Sequence, residues 1–301
     1  LKHILNRITD YSIYLLLGST CAPLIAHAYL GKYSRYYADD FCFQVQLKSK
    51  GIIGAALFYY NEITGRLPNL LFEQFTGLFN TNALYGSYTF ILIWFAVLTS
   101  VIYLIHKQDK QNLLSYVLLT ASILFTTFDL IPLMYCRQII DSVSHTWDPY
   151  PGIFESLYWI TGRNRMITPL ILATILTGLI FHYVYRGYTV KQKPIILILG
   201  IFISFFAGGF GETYVVMQTI ILAMLIAFIN YWGPYRLKEK LIPFIGIMLL
   251  FCIFSMIVII IAPGNEKRMV FFTQTTNPIE LIIVTWQSLI GVLYSILKWP
   301  G

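Results

Sequence analysis

Two adjacent carboxylates, Asp39 and Asp40, stand out as residues that could carry out acid–base chemistry. They follow Tyr36 and Tyr37 and precede Phe41, so they lie in an aromatic setting. Two neighbouring carboxylates in a low-dielectric site do not both ionise at low cost, so one is expected to have a raised pKa. One could serve as a general base while the other orients it or binds a divalent cation such as magnesium or manganese. The alternative is a solvated turn with no chemical role.

A second group of residues carries positive charge beside helix-breaking residues. Arg66 follows Gly65, and a fixed guanidinium binds a carboxylate or phosphate through two parallel hydrogen bonds. The segment 262–268 stops an apolar run with proline and glycine and then presents polar side chains, which are Asn265, Lys267 and Arg268. We expect these residues to bind a phosphate group, although contact with lipid head groups or water would also explain them.

Further candidates lie at the edges of apolar runs. Arg163 and Arg165 precede one such run and are assigned to phosphate or substrate binding. Glu212 follows a glycine-rich turn and is expected either on the acceptor side of a site or as a structural helix cap. His145 and Asp148 flank a tryptophan in a long polar loop, where they could contact a sugar or simply lie at an interface.

Several other kinds of chemistry have no support in the sequence. No zinc-protease, P-loop, nucleophile-elbow or dinucleotide-binding motif occurs in its required context. The four cysteines form no CxxC pair and no cluster with histidine, so neither a zinc site nor a disulfide framework is indicated.

The elements that must position these residues are apolar helices. Of the 301 residues, 57% are hydrophobic, 17% aromatic and only 12% charged, which excludes a disordered chain, a coiled coil and an ordinary cytosolic enzyme. Runs long enough to cross about 30 Å of hydrocarbon predict membrane spans. These runs lie near 12–30, 86–105, 113–134, 166–185, 194–210, 213–232, 241–262 and 279–297.

The predicted fold is therefore an all-α bundle of about eight transmembrane spans, forming one domain over 1–301. The long loop 31–85 contains two runs too short to span, 51–60 and 67–79, which we expect to lie on the membrane surface as amphipathic helices. Two alternatives stay open. The first run could be a cleaved signal peptide, and the C-terminus could be truncated.

Loop charges predict the orientation of the bundle. The short loops are rich in lysine and arginine, which places them and the N-terminus in the cytoplasm. The net charge of +7 is thus attributed to orientation, and no nucleic-acid partner is expected. The long loops 31–85, 135–165 and 263–278 then lie outside. All the candidate residues fall on this outer side, where they could surround one polar site.

Three short motifs in this order resemble a known family. Asp39-Asp40-Phe41, then Gly65-Arg66, then the segment 263–268 (Pro-Gly-Asn-Glu-Lys-Arg) look like the pattern of uncharacterised bacterial multi-spanning proteins near the GT-C glycosyltransferase superfamily. Enzymes of that superfamily are usually longer than this chain, and many carry a soluble C-terminal domain that this sequence lacks.

The resemblance implies sugar transfer at the extracytoplasmic face of a bacterial plasma membrane. The implied donor is a sugar on a polyprenyl phosphate, and the acceptor is a glycan or lipid of the cell envelope. An acidic residue of the first outer loop serves as base in that family, which here is Asp39 or Asp40. Arg66, Asn265 and Arg268 match positions assigned to donor binding. A single displacement with one base predicts inversion at the sugar.

Two other functions remain compatible with the sequence. A transporter or flippase of lipid-linked sugars would use the same outward cations, but it should place ionisable residues near mid-span, where only Asp129 comes close. A non-catalytic membrane assembly subunit would leave the outer charged residues scattered in space.

Overall fold

The structure is a computed structural model that describes residues 2–34, 36–78, 86–105, 113–130, 157–186 and 194–270. Within these ranges the chain is helical and contains no β-strand. The α-helices are α1 (Lys2–Leu30), α2 (Asp39–Glu62), α3 (Leu67–Gly77), α4 (Ser87–Ile105), α5 (Leu113–Phe125), α6 (Ile160–Arg186), α7 (Pro194–Gly208), α8 (Glu212–Trp232), α9 (Tyr235–Ile260) and α10 (Pro263–Met269). The predicted all-α class is confirmed for the described residues.

Five helical segments are long and apolar enough to cross a membrane, and they correspond to predicted spans. They are Tyr11–Tyr33, Ser87–Ile105, Ile160–Val184, Glu212–Trp232 and Leu237–Ile260. Two further apolar helices, Leu114–Phe128 and Pro194–Gly208, are shorter. The predicted span 279–297 lies outside the described residues. The structure is thus compatible with an integral membrane protein, whose number of spans stays a prediction.

Helix α6 joins two apolar cores. Its first half packs with α1, α4 and α5, where Trp94 and Ile167 are buried. Its second half packs with α7 and α9, where the ring of Tyr183 stacks on Phe244 with centroids 4.2 Å apart. Because both cores share α6, the N-terminal end of this helix is held at a fixed place in the bundle.

Several helix ends meet at one end of the bundle, which we call the polar end. The start of α4 contacts the segment before α6, because Ser87 donates a hydrogen bond to the carbonyl of Leu157 at 2.5 Å. Near the end of α1, His27 contacts the Tyr158 hydroxyl at 2.6 Å. The end of α7 approaches the start of α3. The loop helices α2 and α3 therefore pack against the ends of the long helices.

The loop helices differ from the prediction in extent and in which face is buried. Helix α2 already begins at Asp39 and kinks at Gly51, where φ is 69°, so the predicted helix 51–60 is its second half. Helix α3 buries polar side chains against the bundle, whereas Phe75 and Leu78 are 50% and 54% exposed. Their location on a membrane surface stays a prediction.

Candidate functional site

The Asp39–Asp40 pair forms the first turn of α2 rather than a turn in a loop. Ala38 precedes it with φ 45°, a conformation that is strained for a residue with a Cβ. The two carboxylates point to different environments, because Asp39 is exposed and Asp40 is only 3% exposed. The pair therefore consists of one accessible and one buried acid.

The buried acid, Asp40, ties α2 to the start of α6. Its Oδ1 accepts hydrogen bonds from the backbone N–H and the hydroxyl of Thr161, at 3.0 and 2.5 Å. Its Oδ2 accepts the backbone N–H of Tyr37 at 3.0 Å. Burial raises the pKa of Asp40, while these hydrogen bonds and the nearby charge of Arg163 act in the opposite direction. The raised pKa expected for one member of the pair therefore falls on Asp40.

A second buried carboxyl, Glu73 of α3, faces Asp40 and was not among the candidates from the sequence. Burial raises the pKa of Glu73 well above its usual value, and the charge of Asp40 raises it further. Arg163 is 4% exposed, lies over the ring of Phe90 at 4.8 Å and interacts electrostatically with both acids. Asp39, Asp40 and Glu73 are called the acidic group below.

Tyr59 of α2 borders the acidic group. Burial, followed by the charges of Cys42, Asp39 and Glu73, raises the pKa of Tyr59 to about 12. Its phenol therefore stays protonated. The charge of Asp39 also acts on Glu73, which connects the exposed acid to the two buried ones.

Arg66 and Glu212 form an ion pair with two-pronged geometry. Arg66 Nε donates to the Glu212 oxygens at 3.1 and 2.9 Å, and Arg66 Nη2 donates to Oε2 at 2.7 Å. The Arg66 side chain is 9% exposed and that of Glu212 is 45% exposed. Glu212 is the first residue of α8, where a carboxylate also meets the positive end of the helix dipole. Glu212 thus holds Arg66 against the start of α8, and a contact of Glu212 with the acceptor stays a prediction.

Two more arginines lie beside this ion pair. Arg165 is exposed, and the charges of Arg66, Glu212 and Arg268 all act on it. We call Arg66, Arg165 and Arg268 with Glu212 the arginine cluster. It contains three guanidinium groups against one carboxylate, so it carries a net positive charge. Glu73 also acts on Arg165, which makes the arginine cluster a neighbour of the acidic group.

Two predicted phosphate-binding residues contact other groups of the protein, and their binding of phosphate stays a prediction. Asn265 accepts the backbone N–H of Gly65 at 2.9 Å and donates to the carbonyl of Ile259 at 2.6 Å. Lys267 pairs with Glu62 at 2.7 Å, and both side chains are about half exposed. Asn265 therefore fixes the turn that precedes Arg66, and the charge of Lys267 is largely neutralised.

Close backbone packing explains the glycines around Arg66. A Cβ at Gly65 would overlap the Ile259 carbonyl and lie 2.8 Å from the Cβ of Ala262. A Cβ at Gly264 would lie 2.6 Å from the backbone nitrogens of Ile63 and Thr64. The Gly65-Arg66 and Pro263-Gly264-Asn265 motifs, 200 residues apart, are thus in direct contact, and together they set the position of Arg66.

The predicted divalent cation finds few ligands among the described residues. No group of three or more histidine, cysteine, aspartate or glutamate side chains in that part of the chain could hold a metal ion. Both oxygens of Asp40 already accept hydrogen bonds, which leaves Asp39 as the accessible oxygen donor of the pair. His145 and Asp148 lie outside the described residues.

The polar end of the bundle combines the acidic group, which is suited to acid–base chemistry, with the arginine cluster, which is suited to binding an anion. Asp39 could accept a proton, and the arginine cluster could hold a phosphate. No protein-family model, curated protein or solved structure matches the chain. Its function is therefore inferred from the geometry of the site.

Proposed function

We propose that this protein is a membrane glycosyltransferase of the GT-C type. It moves a sugar from a polyprenyl-phosphate-linked donor to an acceptor glycan or lipid, with inversion at the sugar. One observation supports this proposal above the others: the arginine cluster adjoins, through Glu73, the Asp39–Asp40 pair, although these residues come from five separate segments of the chain.

The arginine cluster suits the phosphate of such a donor. Three guanidinium groups offer several N–H donors, and arginine binds phosphate through paired hydrogen bonds. Glu212 fixes Arg66. The contact with the phosphate is assigned to Arg165, whose side chain is exposed, together with its neighbour Arg268. Phe75 and Leu78 of α3, together with Phe41 of α2, expose apolar surface nearby that would contact the prenyl chain or the lipid bilayer.

Asp39 is the proposed general base, and Asp40 is a positioning residue. A base must reach the acceptor, and only Asp39 of the pair is exposed. Both carboxylate oxygens of Asp40 accept hydrogen bonds, one from Thr161 and one from Tyr37. The bonds to Thr161 hold the first turn of α2 against α6. This arrangement distinguishes two acids that the sequence alone left equivalent.

The proposed reaction is one displacement at the anomeric carbon. Asp39 takes the proton of the acceptor hydroxyl as its oxygen forms the new bond to that carbon. The bond from the carbon to the donor phosphate breaks, and its electron pair stays on the phosphate. Arg165 and Arg268 stabilise the negative charge that develops there. A metal ion has no step in this scheme.

The proposal includes the placement of the protein in the membrane. About eight spans, a cytoplasmic N-terminus and an extracytoplasmic polar end in a bacterial plasma membrane follow from the loop charges. Helices α2 and α3 would then lie at the outer surface, with the exposed Phe75 and Leu78 towards lipid.

Donor turnover in membranes tests the proposal. Purified protein is supplied with prenyl-phosphate sugars and an envelope extract as the source of acceptor, and release of the prenyl phosphate is measured. Asp39→Asn should lower this rate at least about 100-fold, the size of a lost general base. Glu239→Gln is the matched control, because Glu239 is exposed near the start of α9. Unchanged turnover in Asp39→Asn would refute the role of this base.

A further inference from the structure

A row of buried polar side chains between α3 and α6 has no role in the scheme above. We call it the polar seam. Its members are at most 6% exposed, although they are three amides, one acid, one alcohol and one guanidinium. They are Asn69, Glu73, Gln74, Arg163, Asn164 and Thr168.

Contacts between the two helices define the polar seam. Asn164 of α6 donates a hydrogen bond to the Thr76 hydroxyl of α3 at 2.9 Å. One turn towards the polar end, Thr161 lies beside Glu73. Glu73 and Thr76 of α3 therefore face Thr161 and Asn164 of α6. Asn69 and Thr168 each lie four residues from a member of these pairs, on the same face of their own helix.

Many polar atoms of the seam have no hydrogen-bond partner among the described residues. They are Asn69 Oδ1, Glu73 Oε1, both amide atoms of Gln74, Asn164 Oδ1, Thr168 Oγ1, and Nε and Nη1 of Arg163. A buried polar group without a partner is unfavourable for folding, because it has lost its hydrogen bonds to water. A concentration of such groups on two facing helices lowers the stability of the folded protein. It is typical of a site that binds a polar ligand.

The chemistry of the seam selects the kind of ligand. Its unpartnered atoms include both donors and acceptors, and its one carboxyl, Glu73, lies with the neighbouring Asp40 near the guanidinium of Arg163. A phosphate only accepts hydrogen bonds and would be repelled by the carboxylate of Asp40. A hydroxyl group donates and accepts, so an uncharged ring with several hydroxyls matches the seam.

We propose that the polar seam binds the sugar ring of the donor while the arginine cluster binds its phosphate. Glu73 interacts electrostatically with both Asp40 and Arg165, so the seam adjoins both the acidic group and the arginine cluster. The sugar ring and the phosphate of the donor are joined directly, so they would occupy two adjoining sites of this kind. This inference rests on the proposed function and adds the residues that recognise the sugar.

Binding of two lipid probes separates this inference from the proposed function. The probes are a ten-carbon prenyl phosphate and the same lipid carrying one of a panel of hexoses and pentoses. Dissociation constants are measured on the purified protein in lipid nanodiscs. Wild type should bind at least one sugar-bearing probe about tenfold or more tightly than the sugar-free probe, as expected for one or more new hydrogen bonds.

Variants of the seam should remove this preference for the sugar. Gln74→Leu and Asn164→Leu should bring the ratio of the two dissociation constants close to one and leave affinity for the sugar-free probe unchanged. Gln218→Leu is the matched control, since Gln218 is a buried amide of α8 that bonds to Ser204 away from the seam. Thr168→Val keeps the shape of its side chain, so it should fold and still lower the ratio.

Each outcome decides between the two proposals. Equal binding of both probes by wild type, or an unchanged ratio in Thr168→Val and in the folded leucine variants, overturns the sugar site and leaves the seam as a water-filled packing feature. If neither probe binds to the wild-type protein, the phosphate site is overturned, and the inference about the sugar is overturned with it. Loss of sugar-free binding in Arg165→Gln, together with a lowered ratio and unchanged sugar-free binding in the seam variants, supports both.

Discussion

At the scale of single residues, Asp39 and Asp40 show how neighbouring acids acquire different chemistry. Successive residues of a helix point about 100° apart, so the first turn of α2 directs Asp39 to solvent and Asp40 into the bundle. Three hydrogen bonds hold Asp40 in place. Because Asp40 fixes the first turn of α2, the side chain of Asp39 leaves the helix in a defined direction. A base on a loop without such contacts would not be oriented in this way.

The protonation of Glu73 should be visible in the pH dependence of stability. Its folded pKa is raised above its unfolded value, so the folded state binds more protons and stability falls as pH rises from about 4.5. Glu73→Gln removes this loss. The variant should therefore gain stability relative to wild type as pH increases, measured by thermal melting between pH 4 and 8.

The control for this pH series is Glu239→Gln, which should parallel wild type because Glu239 is exposed. Some decline with pH should remain in Glu73→Gln, since burial raises the pKa of Asp40 in the same direction. Parallel curves for wild type and Glu73→Gln would show that Glu73 does not retain its proton in the folded protein.

Glu212 should have opposite effects on stability and on phosphate binding. Glu212→Gln deprives the largely buried Arg66 of its charged partner, which should cost about 1–2 kcal/mol. It also raises the net charge of the arginine cluster, so affinity for the sugar-free prenyl phosphate should increase several-fold. Thermal melting and the binding assay above measure the two effects. Weaker phosphate binding in a folded variant would instead make Glu212 part of the binding site.

The pair Glu62–Lys267 provides the comparison for Glu212. Both of its side chains are about half exposed, so Glu62→Gln should change stability by less than about 1 kcal/mol. It should leave phosphate affinity unchanged, because neither residue belongs to the arginine cluster.

Which site residues the sequence could reveal depended on where they stand relative to apolar runs. Arg66, Arg165 and Glu212 are charged residues at the edges of such runs, and that position marks them. Glu73 lies within a short amphipathic helix, whose polar face is ordinarily assigned to water. The stripe of Asn69, Glu73 and Thr76 at helical spacing was the available signal. Only the packing of α3 on α6 shows that this stripe is buried.

At the scale of elements, the turn between α2 and α3 depends on backbone proximity. Gly65 touches the end of α9, so Gly65→Ala should destabilise the protein by about 1–3 kcal/mol, the usual cost of overpacking. It should also weaken phosphate binding, because Arg66 is the next residue. The matched control is Gly246→Ala in α9, where a Cβ meets nothing within 4 Å and should stabilise the helix by about 0.5–1 kcal/mol.

Equal melting temperatures of Gly65→Ala and Gly246→Ala would contradict the tight contact between the two motifs. A destabilised Gly65→Ala variant that binds prenyl phosphate normally would contradict the role of this turn in placing Arg66.

The positions of helices could be predicted from the sequence where a long apolar run determines them. The helices α4, α8 and α9 match predicted spans within a few residues, since long apolar runs have few other stable states in lipid. The start of α2 was missed because Asp39 and Asp40 also suit a turn, and only their contacts with α6 favour helix. The apolar helix Leu114–Phe128 is shorter than the predicted span 113–134, most of whose remainder lies outside the described residues.

At the scale of the whole molecule, the described charges favour a site at one end over a path through the bundle. In the five segments that are long and apolar enough to cross a membrane, lysine, arginine, aspartate and glutamate occur only near the ends. Arg163, Arg165 and Glu212 lie at the polar end, while Lys238 and Lys240 lie at the opposite one. A transporter would be expected to hold such groups near mid-span.

The orientation of the bundle can be tested with the cysteines of the protein. Cys42 is exposed on α2, whereas Cys252 is buried, so a membrane-impermeant maleimide applied to intact cells should label Cys42 if the polar end is extracytoplasmic. Peptide mass spectrometry identifies the labelled residue. A Glu239→Cys variant is the control, and its new thiol near the start of α9 should react only after the cells are permeabilised. Labelling of position 239 but not Cys42 in intact cells would place the acidic group and the arginine cluster in the cytoplasm, where an extracytoplasmic donor could not reach them.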